Sequence, residues 1–150
     1  MIPMATALDD YTYERVKSLC KEGDDFFESN DFGAALDKYR QALAFLPEPV
    51  TAWNAATWIF TAIGDACFLS GDMNAAYNAF SSATHCPDGI GNPFIHFRLG
   101  QIQLALGNDI IALDELTRAY MGGGKKIFDG EDPKFFNLIK LHLKEPPSGW

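Results

Sequence analysis

The sequence predicts an all-α fold of about seven helices: three stacked helix hairpins closed by a C-terminal capping helix. Three observations point there. The first is a register repeated from Gly23, Gly64 and Gly100. Ala recurs twelve residues on (Ala35, Ala76, Ala112) and nineteen on (Ala42, Ala83, Ala119), with a large apolar residue at sixteen (Tyr39, Phe80, Leu116). The second is a turn-forming pair seven and eight residues after each glycine: Asn30-Asp31, Gly71-Asp72 and Gly107-Asn108. The third is the apolar stripe Phe135, Phe136, Ile139 and Leu143, which follows the helix-starting Asp132-Pro133. Self-similarity at a fixed period of this size marks stacked supersecondary units. Antiparallel helices pack closely where small residues meet and a ring fills the space beside them. One hairpin cannot bury its apolar face alone, and about three are the practical minimum.

Each element has a local cause. Asp10 or Thr12 is positioned to cap a first helix running to about Ser29. Asp31 opens a second that ends near Leu46, before Pro47-Glu48-Pro49. Val50-Thr51-Ala52-Trp53-Asn54-Ala55-Ala56 is good helix material after Pro49, so the third helix is expected from about Val50 to Ser70, extended at its start by about two turns. Asp72 caps the fourth, which ends near His85. After a loop from Pro87 to Asn92, Asn92-Pro93 restarts a helix to about Leu106. Asn108 or Asp109 caps the sixth, which runs to Tyr120, and Gly122-Gly123-Gly124 ends the repeats. The organisation expected is one domain over residues 1–150, with repeats at about 16–49, 57–90 and 93–124. A capping helix follows at about 133–143 and an irregular tail at 144–150.

Composition narrows the function classes. With 20 Asp and Glu against 12 Lys and Arg, the net charge is −8, which argues against nucleic acid as a partner. Residues 1–50 hold ten of the acids and five of the bases, so an acidic first repeat could steer toward a basic partner. The start, Met1 to Asp10, is short and acidic where a secretory leader would be basic. The apolar stretch from Pro49 to Leu69 is interrupted by Asn54 and Asp65, so it reads as a buried central helix rather than a membrane span. Cys20, Cys67 and Cys86 share no metal or redox spacing, and reduced thiols in a cytoplasmic protein are expected.

The repeated register resembles the tetratricopeptide repeat. The first copy is nearly complete, with Gly23, Phe26, Phe32, Ala35, Tyr39, Ala42 and Pro47 at the signature positions. The second keeps Gly64, Ala76, Phe80 and Ala83, with Cys67 and Met73 as softer apolar residues and Pro87 one place early. The third keeps Leu99, Gly100, Ala112, Leu116 and Ala119, while Gln103 and Asp109 stand where apolar residues are usual. Glycine-to-glycine spacings of 41 and 36 residues depart from the family period of about 34. The resemblance covers roughly residues 13–122 and implies a right-handed solenoid.

In such stacks the first helix of each pair lines the concave face, and the resemblance carries that role onto particular residues. They are Lys17, Cys20, Asp24 and Phe27, then Trp58, Thr61, Asp65 and Phe68, then Phe94, Phe97, Gln101 and Leu104, with Asn54 one turn earlier on the third helix. The candidate partner-binding set is Asp24, Phe27, Asn54, Trp58, Asp65, Phe68, Phe94, Phe97, Arg98 and Gln101. Aromatic residues at surface positions are what binding hot spots use. The competing expectation is that the terminal helix or tail folds into this groove and hides the rings. Family members that clamp a peptide carboxylate use two Lys, two Asn and an Arg. Here those positions hold Cys20, Asp24, Ala62, Phe94 and Arg98, so a carboxylate clamp is excluded.

Catalytic motifs fail on context. Gly122-Gly123-Gly124-Lys125-Lys126 follows a helix and lacks a Ser or Thr after the lysine, unlike a phosphate loop. Asp129-Gly130-Glu131-Asp132 lacks the twelve-residue calcium loop. His85 lies at a helix end, His142 has no partner at ligand spacing, and His96 occupies a packing position filled by Leu19 and Phe60 in the other copies. No enzyme, cofactor or metal is expected, and the partner expected is a protein. The C-terminal segment from Ile127 to Phe136, with its Pro-Pro-Ser-Gly-Trp end, resembles small proteins linked to secreted toxins. It implies an immunity protein that neutralises a cognate toxin, with acidic charge suited to masking a basic toxin domain. The alternatives are a secretion chaperone like the three-repeat type III class, or a scaffold subunit using its outer face.

Overall fold

The computed structural model describes residues 7–150. Residues 1–6, on which the expectation of no secretory leader largely rests, lie outside the described residues. Among the described residues there are seven α-helices, two short 3₁₀ turns and no strand. The chain divides into two compact units, one ending at Ile90 and the other spanning Gly91–Trp150.

The first unit holds two hairpins, α1 (Asp10–Glu28) with α2 (Phe32–Ala44), and α3 (Asn54–Ser70) with α4 (Met73–Thr84). Three of these four helix starts, those of α1, α2 and α4, are built by carboxylates. Asp31 accepts from the Ala34 amide at 3.2 Å and Asp72 from the Ala75 amide at 3.1 Å. The cap of α1 is Asp9, one residue before the expected start. Its carboxylate takes both the Thr12 amide, at 2.8 Å, and the Thr12 hydroxyl, at 2.9 Å, and lies below the usual carboxylate range because of the amide bond first.

The long third helix differs from expectation. Val50–Ala52 forms a separate 3₁₀ turn, and the chain extends at Trp53 (φ −103, ψ 137) before α3 begins at Asn54. The break buries the Trp53 indole, whose N–H donates to the Pro47 carbonyl at 2.8 Å. A continuous helix would have to give up that placement of a large ring.

The second unit holds α5 (Pro93–Ala105), α6 (Asp109–Gly123), a 3₁₀ turn (Lys125–Phe128) and α7 (Pro133–His142). Asn92 caps α5 by accepting from the Phe94 and Ile95 amides, with Pro93 in the first turn. Asn108 precedes α6 but makes no side-chain cap. Its amide donates instead to Gln103 Oε1 at 2.8 Å. The glycine run does not end α6 where expected: the helix continues through Gly122 and Gly123 and stops at Gly124, which takes φ +70. Gly122 and Gly123 pass so close to Pro93 that a Cβ on either would lie 3.1 or 3.0 Å from its ring.

The repeated glycines explain the cores. A Cβ at Gly23 would sit 2.5 Å from the Tyr39 ring, at Gly64 2.7 Å from the Phe80 ring, and at Gly100 2.6 Å from Leu116. Each hairpin thus sinks the large residue of its second helix into the space its glycine leaves open. Tyr39, Phe80 and Leu116 are all buried, as are the six register alanines.

Candidate functional site

Trp58, Thr61, Asp65 and Phe68 are spaced to share one face of α3, and Lys17, Cys20, Asp24 and Phe27 repeat that spacing on α1. Trp58 is 54% exposed, which is high for a tryptophan. It lines a cleft of about 270 Å³ together with Ala7, Leu8, Tyr13, Trp53, Asn54 and Ala55. Asn54 is exposed, Phe68 is half-buried, and the half-buried Phe27 packs edge-on to Phe32 at 5.4 Å.

Asp24 bonds a tyrosine that also feels the charge of Asp65. The buried Tyr39 hydroxyl donates to Asp24 Oδ1 at 2.6 Å. Burial, that hydrogen bond and the negative charges of Asp24 and Asp65 hold the phenol well above its ordinary range. The Cys20 thiol is pushed up to about 11, by burial first and by Asp24 second. A thiol raised in this way is a poor nucleophile at neutral pH. Asp24 therefore has a structural duty as well as an exposed edge. The sequence carried a signal for this bond: only the first copy pairs a hydroxyl-bearing ring sixteen residues after its glycine with an aspartate one residue after it.

The third hairpin is different. Phe97 is 2% exposed and Gln101 6%, so neither is a surface group. Phe97 stands in an aromatic core, with Phe128 edge-on at 5.0 Å and Phe135 at 5.7 Å, above Leu116, Ala119 and Ile139. Gln101 accepts from Arg98 Nη1 at 2.8 Å and donates to Glu131 at 3.4 Å. The Arg98 guanidinium lies over the half-buried Phe94 ring at 5.2 Å. The terminal segment thus covers this part of the candidate set, and the tail expected to be irregular contributes Trp150, edge-on to Tyr120 and Phe136.

His96 is buried and doubly bonded. Its Nε2 accepts from the Gly91 amide at 2.9 Å, which leaves the proton on Nδ1 to donate to Glu115 Oε1 at 2.8 Å. The ring ties the loop before α5 to the middle of α6. Among the described residues there is no group of three or more His, Cys, Asp and Glu able to hold a metal. Among them too, no helix is long and apolar enough to cross a membrane.

Comparison with solved structures agrees with this hairpin architecture. One crystal structure of MamA, a tetratricopeptide-repeat protein, superposes with a TM-score of 0.63 at 14% identity, covering 83% of this chain and 74% of that one. The fold is tetratricopeptide-like. A second MamA structure gives a TM-score of 0.59 at 16% identity, over 88% of this chain and 79% of that one. No protein-family model and no curated protein matches the chain. At these identities the likeness concerns the backbone alone.

Proposed function

We propose that the protein is a non-catalytic binding module whose working surface is the inner face of its first two hairpins, around Asp24, Phe27, Asn54, Trp58, Asp65 and Phe68. The observation that carries this reading is Trp58, more than half exposed at the lip of a cleft and in helical register with Asp65 and Phe68. Tryptophan is among the residues most enriched in binding hot spots. The acid excess in residues 1–50 favours a basic protein partner. In its finer form the proposal is an immunity protein: the partner is a cognate secreted toxin, neutralised when this face masks a basic surface.

The chaperone alternative asks for an inner face open along every hairpin, and burial of Phe97 and Gln101 weighs against it. An outer-face scaffold has one observation in its favour, Ile110 and Ile111 at 87% and 50% exposure on the first turn of α6.

Affinity capture from the native cell, followed by co-expression of each captured protein, separates these readings. Rescue from a lethal partner supports immunity; binding only an unfolded N-terminal segment of a secreted protein supports the chaperone. Trp58→Ala should weaken partner binding by about 2 kcal/mol or more, by calorimetry, with helicity unchanged. Unchanged affinity moves the site to the outer face.

A further inference from the structure

We propose that His96 is a pH-driven switch at the start of the second unit: a second proton on its ring turns over the peptide group that enters Gly91.

The ring is set up for this. His96 is 3% exposed, and both of its nitrogens are engaged within the unit. Nε2 accepts from the Gly91 amide at 2.9 Å, and Nδ1 gives its proton to Glu115 Oε1 at 2.8 Å. A neutral imidazole can accept at one nitrogen while donating at the other, whereas an imidazolium donates at both. A proton arriving at Nε2 therefore sets two N–H groups against each other across 2.9 Å. The same proton turns the Glu115 contact into an ion pair, strengthening one tie as it abolishes the other. Among the described residues, Glu115 of α6 is the charged group bonded to the ring. Arg118 feels the Glu115 charge but is tied to Asp114 at 3.0 Å. On α5 itself, Arg98 is bonded to Gln101. The lysines of the 3₁₀ turn, Lys125 and Lys126, are exposed, and Lys125 lies over the Phe136 ring.

The backbone supplies the moving part. Gly91 has φ +81, close to the value at the third residue of a type II turn. Turning over the preceding peptide changes that angle to about −90°, as in a type I turn. It also puts a carbonyl where the amide stood, and that carbonyl accepts from the protonated Nε2. Glycine adopts both angles without strain, and nothing lies within 4 Å of where its Cβ would be. The residues that follow are anchored independently. Asn92 Oδ1 accepts from the Phe94 and Ile95 amides, and the Pro93 ring lies against Gly122 and Gly123. The motion is thereby confined to one peptide group.

The test is amide solvent exchange of the full chain, read residue by residue by NMR and corrected for the intrinsic effect of pH. It runs from about pH 8 to about pH 5, the range in which histidine changes charge. The Gly91 amide should be protected at the upper end and lose protection at least about tenfold at the lower end. The Phe94 and Ile95 amides should keep theirs. Glu115→Gln retains an acceptor for Nδ1 but removes the charge that favours the second proton, so the loss at Gly91 should move to lower pH. Gly91→Ala disfavours the positive φ, so the amide at position 91 should be unprotected across the whole range. Constant protection of Gly91 in the parent chain overturns the switch, as does a loss shared equally by Phe94 and Ile95. A protected position-91 amide in Gly91→Ala overturns the peptide turnover. An unmoved profile in Glu115→Gln overturns the part given to the ion pair.

Discussion

The first two hairpins and the third share one packing scheme and differ in how far their inner faces are covered. Behind each face a glycine admits a ring or a leucine, and the alanines around it vanish from the surface. In front, the third hairpin is sealed by Phe128, Phe135 and α7, whereas the first two present Trp58, Asp65 and Asp24. The third hairpin has a phenylalanine three residues before its glycine, and the segment that follows it packs on that ring. The first two have Cys20 and Thr61 in that position, both half-buried.

The contrast is easiest to break at Phe97. Phe97→Ala should lower unfolding stability by about 3–5 kcal/mol, because the ring lies between Phe128 and Phe135 in a core with Leu116. Urea denaturation checks this, and a loss below about 1 kcal/mol would mean that the ring is not the keystone of the second unit. The shared scaffold is tested next. Gly64→Ala places a methyl 2.7 Å from the Phe80 ring and should cost about 1–3 kcal/mol. Gly33→Ala, on a helix position with nothing within 4 Å, should be neutral or raise stability by up to about 1 kcal/mol. Equal thermal shifts for the two variants would contradict the Gly–ring account.

The smallest effect concerns the aspartate side of the open face. Tyr39 holds its proton more tightly in the folded protein than an ordinary phenol at 10.0, because of burial and Asp24. Cys20 behaves alike, raised from 9.0 to about 11. Their raised folded values give stability that is complete below the unfolded values. It is lost as pH climbs, between about 9 and 11 for Cys20 and from about 10 upward for Tyr39. The chain should therefore lose stability above pH 9, measured by urea midpoints, and Tyr39→Phe should flatten the portion above pH 10. An unchanged slope would assign the alkaline loss to other groups.

The hairpins were legible because their code is local: each glycine and its filling residue lie within one repeat, and Asp31, Asp72 and Asn92 announce the helix starts. The continuous helix expected from Val50 was not, because the break is set by the Trp53 indole reaching Pro47, which helix propensity does not register. The candidate site divides in the same way. Asn54, Trp58 and Asp65 could be placed on an accessible face from spacing alone. Phe97 and Gln101 could not, since their cover comes from residues 128–135, and no period connects that segment to them. The Asp24–Tyr39 bond joins two helices through a turn and had only a one-repeat signal.

The His96 bridge has a spectroscopic consequence. With Nε2 bound to the Gly91 amide and Nδ1 bound to Glu115, the ring is held in one tautomer by two elements of the second unit. The two imidazole nitrogens should therefore give distinct, pyrrole-like and pyridine-like, nitrogen-15 signals rather than an averaged pair. A single labelled histidine becomes an internal gauge of whether the Gly91–His96–Glu115 bridge persists when α7 is cut away or a ligand arrives.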